Sequence, residues 1–229
     1  GDLLSVVINS GSSEGPTDDY RIKPDITGNG TGLFSTYESS DDAYNTISGT
    51  SLASPNVMGS LLLLQQHYSN LNGRFMRSAT LKGLALHTAD DVSGSGGLVG
   101  PDAVYGWGLM NSKRAAETIT NQGLESIIKE LEISQGETLT FTVTSDGVNP
   151  LLASISWTDL PGQVSSGAND TTPVLVNDLD VLVSNETESF SPWMLTGVAS
   201  NTKGDNIVDP FERVDIDQAS GNYIITVSH

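Results

Sequence analysis

Between Leu52 and Tyr68 apolar residues return every three and four positions: Leu52, Ala53, Val57, Met58, Leu61, Leu62, Leu64 and Tyr68. They fall on nearly every side of the middle turns, so the stretch reads as a helix over about 51–68 that is buried within its domain. Pro55 suits a place in its first turn, where the missing N–H has no intrahelical partner. Ser51 then stands at the N-terminus of a core helix, and the surrounding fold must supply walls on several sides. A chain of 229 residues is long enough for that, as one large domain or as two of roughly 100 residues each.

Charge narrows the partners. Ten Lys and Arg against 28 Asp and Glu leave a net −18, a field that repels phosphate backbones and anionic membrane surfaces. Nucleic acid is not an expected partner. The longest unbroken apolar run, Leu61 to Leu64, falls far short of the roughly 20 residues that cross a bilayer, so no membrane span is expected. Gly1-Asp2-Leu3-Leu4-Ser5 carries no basic leader, and the natural start is expected further upstream. The absence of cysteine rules out disulfides and thiolate chemistry, which a secreted bacterial protein can do without. An acidic surface of this kind leaves room for calcium.

Up to about residue 120 glycine-rich loops mix with helical periodicity, and after about residue 125 strand alternation dominates. A second helix is expected from Ser78, as its N-cap, through Leu81, Leu84, Ala85 and Thr88, and a third from about Ser112 to Ile119. Asp90 to Gly100, with glycines at 94, 96, 97 and 100, reads as a surface loop between them. Further on, Leu139/Phe141/Val143, Ala153/Ile155/Trp157, Leu179/Val181/Val183, Val214/Ile216 and Tyr223/Ile225/Val227 alternate with other residues as strands with one apolar face. Five such strands predict an antiparallel sandwich of about 100 residues. Asn121-Gln122-Gly123 supplies a helix stop, which sets the expected division near 120–125, with domains over 1–122 and 123–229.

The chemistry lies in Gly49-Thr50-Ser51-Leu52-Ala53-Ser54-Pro55. A serine opening a buried helix has its hydroxyl at the positive end of the helix dipole, and its own amide is free to face a developing oxyanion. Gly49 and Ala53 are small enough to let a carbonyl approach. A serine in such a place is more often a plain helix cap; the whole motif argues for more. It resembles the nucleophile signature of the subtilisin-like serine proteases, or subtilases, Gly-Thr-Ser-x-Ala-x-Pro, at every specified position, and Val57 and Gly59 continue it. Ser12 to Ile26 is similar to the family's loop and strand ahead of the nucleophile, with Glu14 and Tyr20 where Arg and Gly are commoner. Gly28-Asn29-Gly30 follows in place of Ala-Pro-Gly. Leu86-His87-Thr88-Ala89 and Tyr105-Gly106-Trp107-Gly108-Leu109-Met110-Asn111 resemble the scaffold segments after the nucleophile helix. The resemblance implies the C-terminal part of an α/β subtilisin-like catalytic domain, cleaving polypeptide substrates through an acyl-serine intermediate. Ser51 is then the nucleophile and its backbone amide an oxyanion donor.

A subtilase triad runs Asp, His, Ser along the chain, and a side-chain amide completes the oxyanion hole. Here all three histidines, His67, His87 and His229, follow Ser51. Upstream aspartates such as Asp18, Asp19 and Asp25 lie in segments that match later parts of the fold. Asn9 stands too close to the Pro16-Thr17-Asp18-Asp19 loop to be the family's Gly-Asn-x-Gly amide. The expectation is a chain that lacks the base, the orienting Asp and the amide donor, is inert alone, and belongs with a missing N-terminal part of the same protein. The alternative is a non-catalytic binding module or degenerate protease scaffold, which leaves the intact Gly49 to Pro55 motif without a reason.

Ile155 to Gly162, Leu175 to Asp180 and Ser220-Gly221-Asn222-Tyr223 resemble the jelly-roll-like C-terminal domain of some secreted bacterial subtilases. This implies an all-β jelly-roll-like sandwich after the α/β part, a secreted or cell-surface bacterial location, no cofactor for catalysis, and a structural Ca2+. Strand alternation puts Asp178 and Asp180 on one face about 7 Å apart. With the Gly204-Asp205-Asn206 turn as partner, the expected metal ligands are Asp178, Asp180 and Asp205, the alternative being a solvated acidic face. Asp209 lies where the stretch departs from such domains' Asn-Asn-x-Glu-x-Val, which argues against it as a ligand, and Asp215 with Asp217 reads as a solvated pair.

Overall fold

The nucleophile-bearing helix, α1, runs from Thr50 to Asn72. The computed structural model describes residues 3–164 and 167–229, so Gly1 and Asp2 lie outside the described residues. Extended Gly49 precedes the helix, and its carbonyl accepts from both Leu52 and Ala53, at 3.0 and 3.2 Å. Pro55 is the sixth helical residue, past the first turn where the sequence placed it, and its missing N–H takes away the donor that the Ser51 carbonyl would otherwise have. At the far end Gly73, in the left-handed region at φ 69, donates to the Ser69 carbonyl and stops the helix.

Only one side of α1 is covered. Leu64 and Tyr68 pack with Met76, with Leu84 of α2 (Ser78–His87), and with Ala115 and Ile119 of α3 (Ser112–Thr120). Full burial stabilises by about 1.5–3 kcal/mol for each large apolar side chain. Met58, Leu62, Leu63 and Leu71, in contrast, are 57, 62, 68 and 56% exposed. A helix buried on nearly every side is therefore not what the structure contains. The apolar pattern is there, but the described residues build walls on one side only. α2 begins at Ser78 itself with Arg77 as the flanking residue, so Ser78 is not the cap. α3 has the side-chain cap, since Asn111 Oδ1 accepts from the Arg114 amide at 2.8 Å. Its C-cap is Asn121, and Gly123, at φ 87, belongs to the turn beyond.

In the first half the strands are β1 (Leu33–Thr36) and β2 (Tyr44–Ile47), an antiparallel hairpin that ends two residues before Gly49. No strand forms in 12–26. Near it, the chain pairs in parallel only at an isolated bridge between Thr27 and Leu109.

The second half is antiparallel throughout its named sheets. β3 (Thr138–Asp146), β10 (Ser220–Ser228), β5 (Asp180–Ser184) and β6 (Ser189–Phe190) line up in that order. β4 (Leu151–Ser156) pairs with β9 (Phe211–Ile216), and β7 (Trp193–Gly197) with β8 (Ser200–Lys203). Each of the five alternating segments forms a strand, with Trp157 and Leu179 just outside theirs. Their apolar faces meet in one core, in which Ala153, Val181, Val183, Val214, Ile216 and Tyr223 are buried.

A third core crosses the change in secondary structure. Ile22, Leu86, Ala89 and Trp107 from the first half pack with Leu195 and Phe211 from the second, and the Trp107 and Phe211 rings meet edge to face at 4.9 Å. Buried Arg213 joins them, its guanidinium 4.9 Å from the Trp107 ring centroid and donating to the Leu86 carbonyl at 3.1 Å.

Candidate active site and acidic cluster

Ser51 is the second residue of α1 and is exposed. Its amide is one of the first four of the helix, which have no intrahelical acceptor, and it lies at the positive end of the helix dipole with no acidic side chain in that turn. A side chain on Gly49 would begin 3.8 Å from the Ser51 nitrogen and stand over it. Glycine there keeps the amide open. The loop before the hairpin lies against the same turns: a Cβ on Gly28 would fall 2.5 Å from a Val57 methyl, and one on Gly30 would fall 2.7 Å from the Gly49 carbonyl oxygen. Gly49 N donates to Gly30 O at 2.8 Å, and Gly32 N to Ser48 Oγ at 2.9 Å, so loop, hairpin and helix start are tied together. A hydroxyl and an N–H held side by side on an open helix terminus can carry acyl transfer once a base removes the hydroxyl proton.

No base stands beside Ser51 among the described residues. His67 lies 16 residues further along the same helix, roughly 24 Å away, and its Nε2 bonds Thr120 Oγ1 at 2.9 Å. His87 Nδ1 is 2.9 Å from Ser154 Oγ, and burial pushes its pKa down to about 4, so it is neutral at physiological pH. His229 is tied through its backbone to Gly136 and Glu137. Asn9 is committed as well: Oδ1 accepts from the Gly11 amide at 2.9 Å and Nδ2 donates to Thr31 Oγ1 at 3.2 Å. Asp19 is bonded to Thr17 and Arg21, and Asp25 is paired with Lys23 and Lys82.

The carboxylates of the second half do come together. Asp180 hydrogen-bonds Asp205, and burial together with that contact raises the Asp180 pKa to about 6. Asp178 is raised by burial and then by the charges of Asp205 and Asp159. Asp159 accepts from Val176 N, Asn177 N and Asn177 Nδ2, and so shapes the loop that presents Asp178. Among the described residues no three such side chains already stand at the spacing of a closed metal cage. The sequence missed the cluster's fourth member, Glu212 of β9, which is fully buried and gives Oε2 to the Val181 amide at 2.7 Å. Its Oε1 has no partner. Burial, then the charges of Asp180, Asp178 and Asp205, push its pKa up to about 9. The available signal was an acid set between Phe211 and Val214 in a run buried on both faces, alternation having little to say there.

Asp209 is outside the cluster, as expected: it is buried, accepts from the Ile22 amide at 3.0 Å and from Asn206 Nδ2 at 3.1 Å, and thereby pins the two halves together. Asp215 is not solvated. It pairs with Arg213 at 2.7 Å and accepts from Trp193 Nε1 at 3.0 Å, while Asp217 is exposed.

Residues 5–108 match the model of the subtilase family, the S8 peptidases. A 76-residue stretch is 42% identical to the PII-type proteinase of Lacticaseibacillus paracasei and equally to the PI-type and PIII-type proteinases of Lactococcus lactis subsp. cremoris. That stretch is 33% of this chain and 4% of each relative, so the chain matches a small part of much longer proteins. A serine protease of Aeromonas sobria aligns over 81% of this chain and 38% of its own, at 15% identity and a TM-score of 0.31. No helix among the described residues is long and apolar enough to cross a membrane.

Proposed function

Residues 5–108 being subtilase sequence, we propose that this chain is the nucleophile-bearing part of a serine endopeptidase whose histidine, aspartate and amide donor come from sequence upstream of it. The observation that carries the reading is Ser51 itself, open on the N-terminus of α1 with its amide uncovered by Gly49. In that role Ser51 Oγ attacks a peptide carbonyl of a polypeptide substrate. Its N–H receives the oxyanion, and the Gly28 to Gly30 loop holds the first turn in place. Two further observations support the division of labour. Every histidine follows Ser51 in sequence, and the uncovered leucines of α1 are the face an upstream segment would bury.

Without the base, the rate falls by several orders of magnitude, and a missing oxyanion donor costs about 3 kcal/mol more, although such losses do not add. The expected result is that the 229-residue chain alone is not labelled by a fluorophosphonate, while the polypeptide extended upstream is labelled and loses the label on Ser51→Ala. Stoichiometric labelling of the chain alone would refute the shared site. An extended polypeptide that stays unlabelled would favour the other reading, a binding module on a degenerate scaffold.

The strand-rich half is read as a jelly-roll-like sandwich, and the protein as secreted or surface-held. A structural Ca2+ on Asp178, Asp180 and Asp205 completes the proposal; their donors are the hard oxygens that ion takes, and the unpartnered oxygen of Glu212 faces the same place. No cofactor enters the chemistry at Ser51.

A further inference from the structure

The chain's carboxylates divide into two kinds. Asp19, Asp25, Asp90, Glu130 and Asp215 each sit within 4 Å of a Lys or Arg nitrogen. Asp178, Asp180, Asp205 and Glu212 have no such partner among the described residues, although Glu212 is fully buried. Arg213, its neighbour in β9, turns to Asp215, Leu86 and Trp107. A buried carboxylate with one oxygen bonded and the other left bare is costly, on the order of several kcal/mol, unless something positive meets it. The bonded oxygen also fixes the direction. Oε2 is held by Val181 N, the residue after Asp180, so the Glu212 carboxyl reaches from β9 across to the start of β5, where Asp180 meets Asp205.

From this placement we infer that Glu212 is the buried oxygen donor of the Ca2+ site proposed above, closing from beneath a set that Asp178, Asp180 and Asp205 form at the surface. The inference rests on the calcium reading and not on the role of Ser51. A cation there replaces the Asp180–Asp205 contact with two bonds to metal and gives Glu212 Oε1 its missing partner. Val181 N–H stays on Oε2 and keeps the side chain aimed.

The test is calorimetric titration of the EGTA-stripped 229-residue chain with CaCl2. One Ca2+ is expected to bind. Glu212→Gln, which keeps the shape and an acceptor for Val181 N–H, is expected to weaken binding at least tenfold, as is Asp180→Asn; Asp217→Asn, on the exposed strand end, leaves it unchanged. Equal affinity in wild type and Glu212→Gln, with Asp180→Asn impaired, overturns the role of Glu212 and keeps the surface ligands. No binding at millimolar Ca2+ overturns both, and leaves fluorophosphonate labelling as a separate question. A measurement on the wild type guards against a variant that fails to fold: the 13C resonance of the Glu212 carboxyl carbon shifts in step with Ca2+ saturation, and a resonance that stays fixed refutes the inference.

Discussion

Tyr20 holds a backbone conformation that belongs to glycine. Its φ of 64 lies in the left-handed region, which costs an L-residue roughly 1–2 kcal/mol. The position is one at which the resembling family more often has Gly, and the structure supplies the reason. Tyr20 tolerates the strain because its ring packs on the core of Ile22, Leu86 and Trp107. Removing the ring therefore has two separable effects. Tyr20→Ala loses the packing and keeps the strain, whereas Tyr20→Gly loses the same packing and relieves it. Denaturant unfolding should find the Gly variant more stable than the Ala variant by about 1 kcal/mol, the reverse of the usual order for the two residues. An Ala variant as stable as the Gly variant would mean that the backbone at residue 20 relaxes.

Among the elements, α2 shows how a helix start is completed from afar. No side chain of its own caps it. Glu130, in the connection after α3, accepts from Arg77 N at 2.8 Å, Thr80 Oγ1 at 2.6 Å and Arg74 Nη1 at 2.6 Å, and so places a carboxylate on the helix N-terminus. Burial alone would raise its pKa, but those bonds outweigh it and hold the value at about 2. A folded value below the unfolded one means that the contribution is complete above about pH 4.5 and is lost as pH falls from there toward 2. Acid unfolding of Glu130→Gln should show a shallower loss of stability across that window, with a lower plateau above it by on the order of 2 kcal/mol. Parallel profiles would remove Glu130 from the acid transition. Ser78 was the natural reading because a cap is sought next to its helix, and nothing in the sequence around Ser78 points 52 residues ahead. The five apolar-alternating strands were legible for the opposite reason, since each carries its own period. β6, β7 and β8 were not, being two to five residues long with no sustained alternation. The same contrast separates the site residues: Ser51 sits in a contiguous motif, whereas Glu212 joins Asp180 only through the lateral approach of β9 to β5.

At the scale of the whole molecule, the division near residue 122 is a change of secondary structure and not a break in packing. Trp107 and Leu86 on one side and Phe211 and Leu195 on the other occupy one core. Sequence periodicity cannot reveal such a core, because each half contributes single positions and no repeat. Arg213 is its polar fastener, bonded twice to Asp215, at 2.7 and 2.9 Å, and once to the Leu86 carbonyl. Cutting one partner of a buried ion pair costs about 3–5 kcal/mol, since the other charge stays behind; here Trp193 Nε1 still bonds Asp215 and softens that loss. If the halves are one cooperative unit, Arg213→Ala lowers the protection of α1 and α3 amides in hydrogen exchange along with that of β10, by a common amount near 3 kcal/mol. If they are two independent domains, the loss appears in β4 and β9 and their neighbours while α1 keeps wild-type protection. The core of Ile22, Trp107 and Phe211 argues for the first outcome. It also implies that the strand-rich half braces the scaffold on which Ser51 is carried, since Asp209 holds the Ile22 amide in the stretch leading to the Gly28 to Gly30 loop.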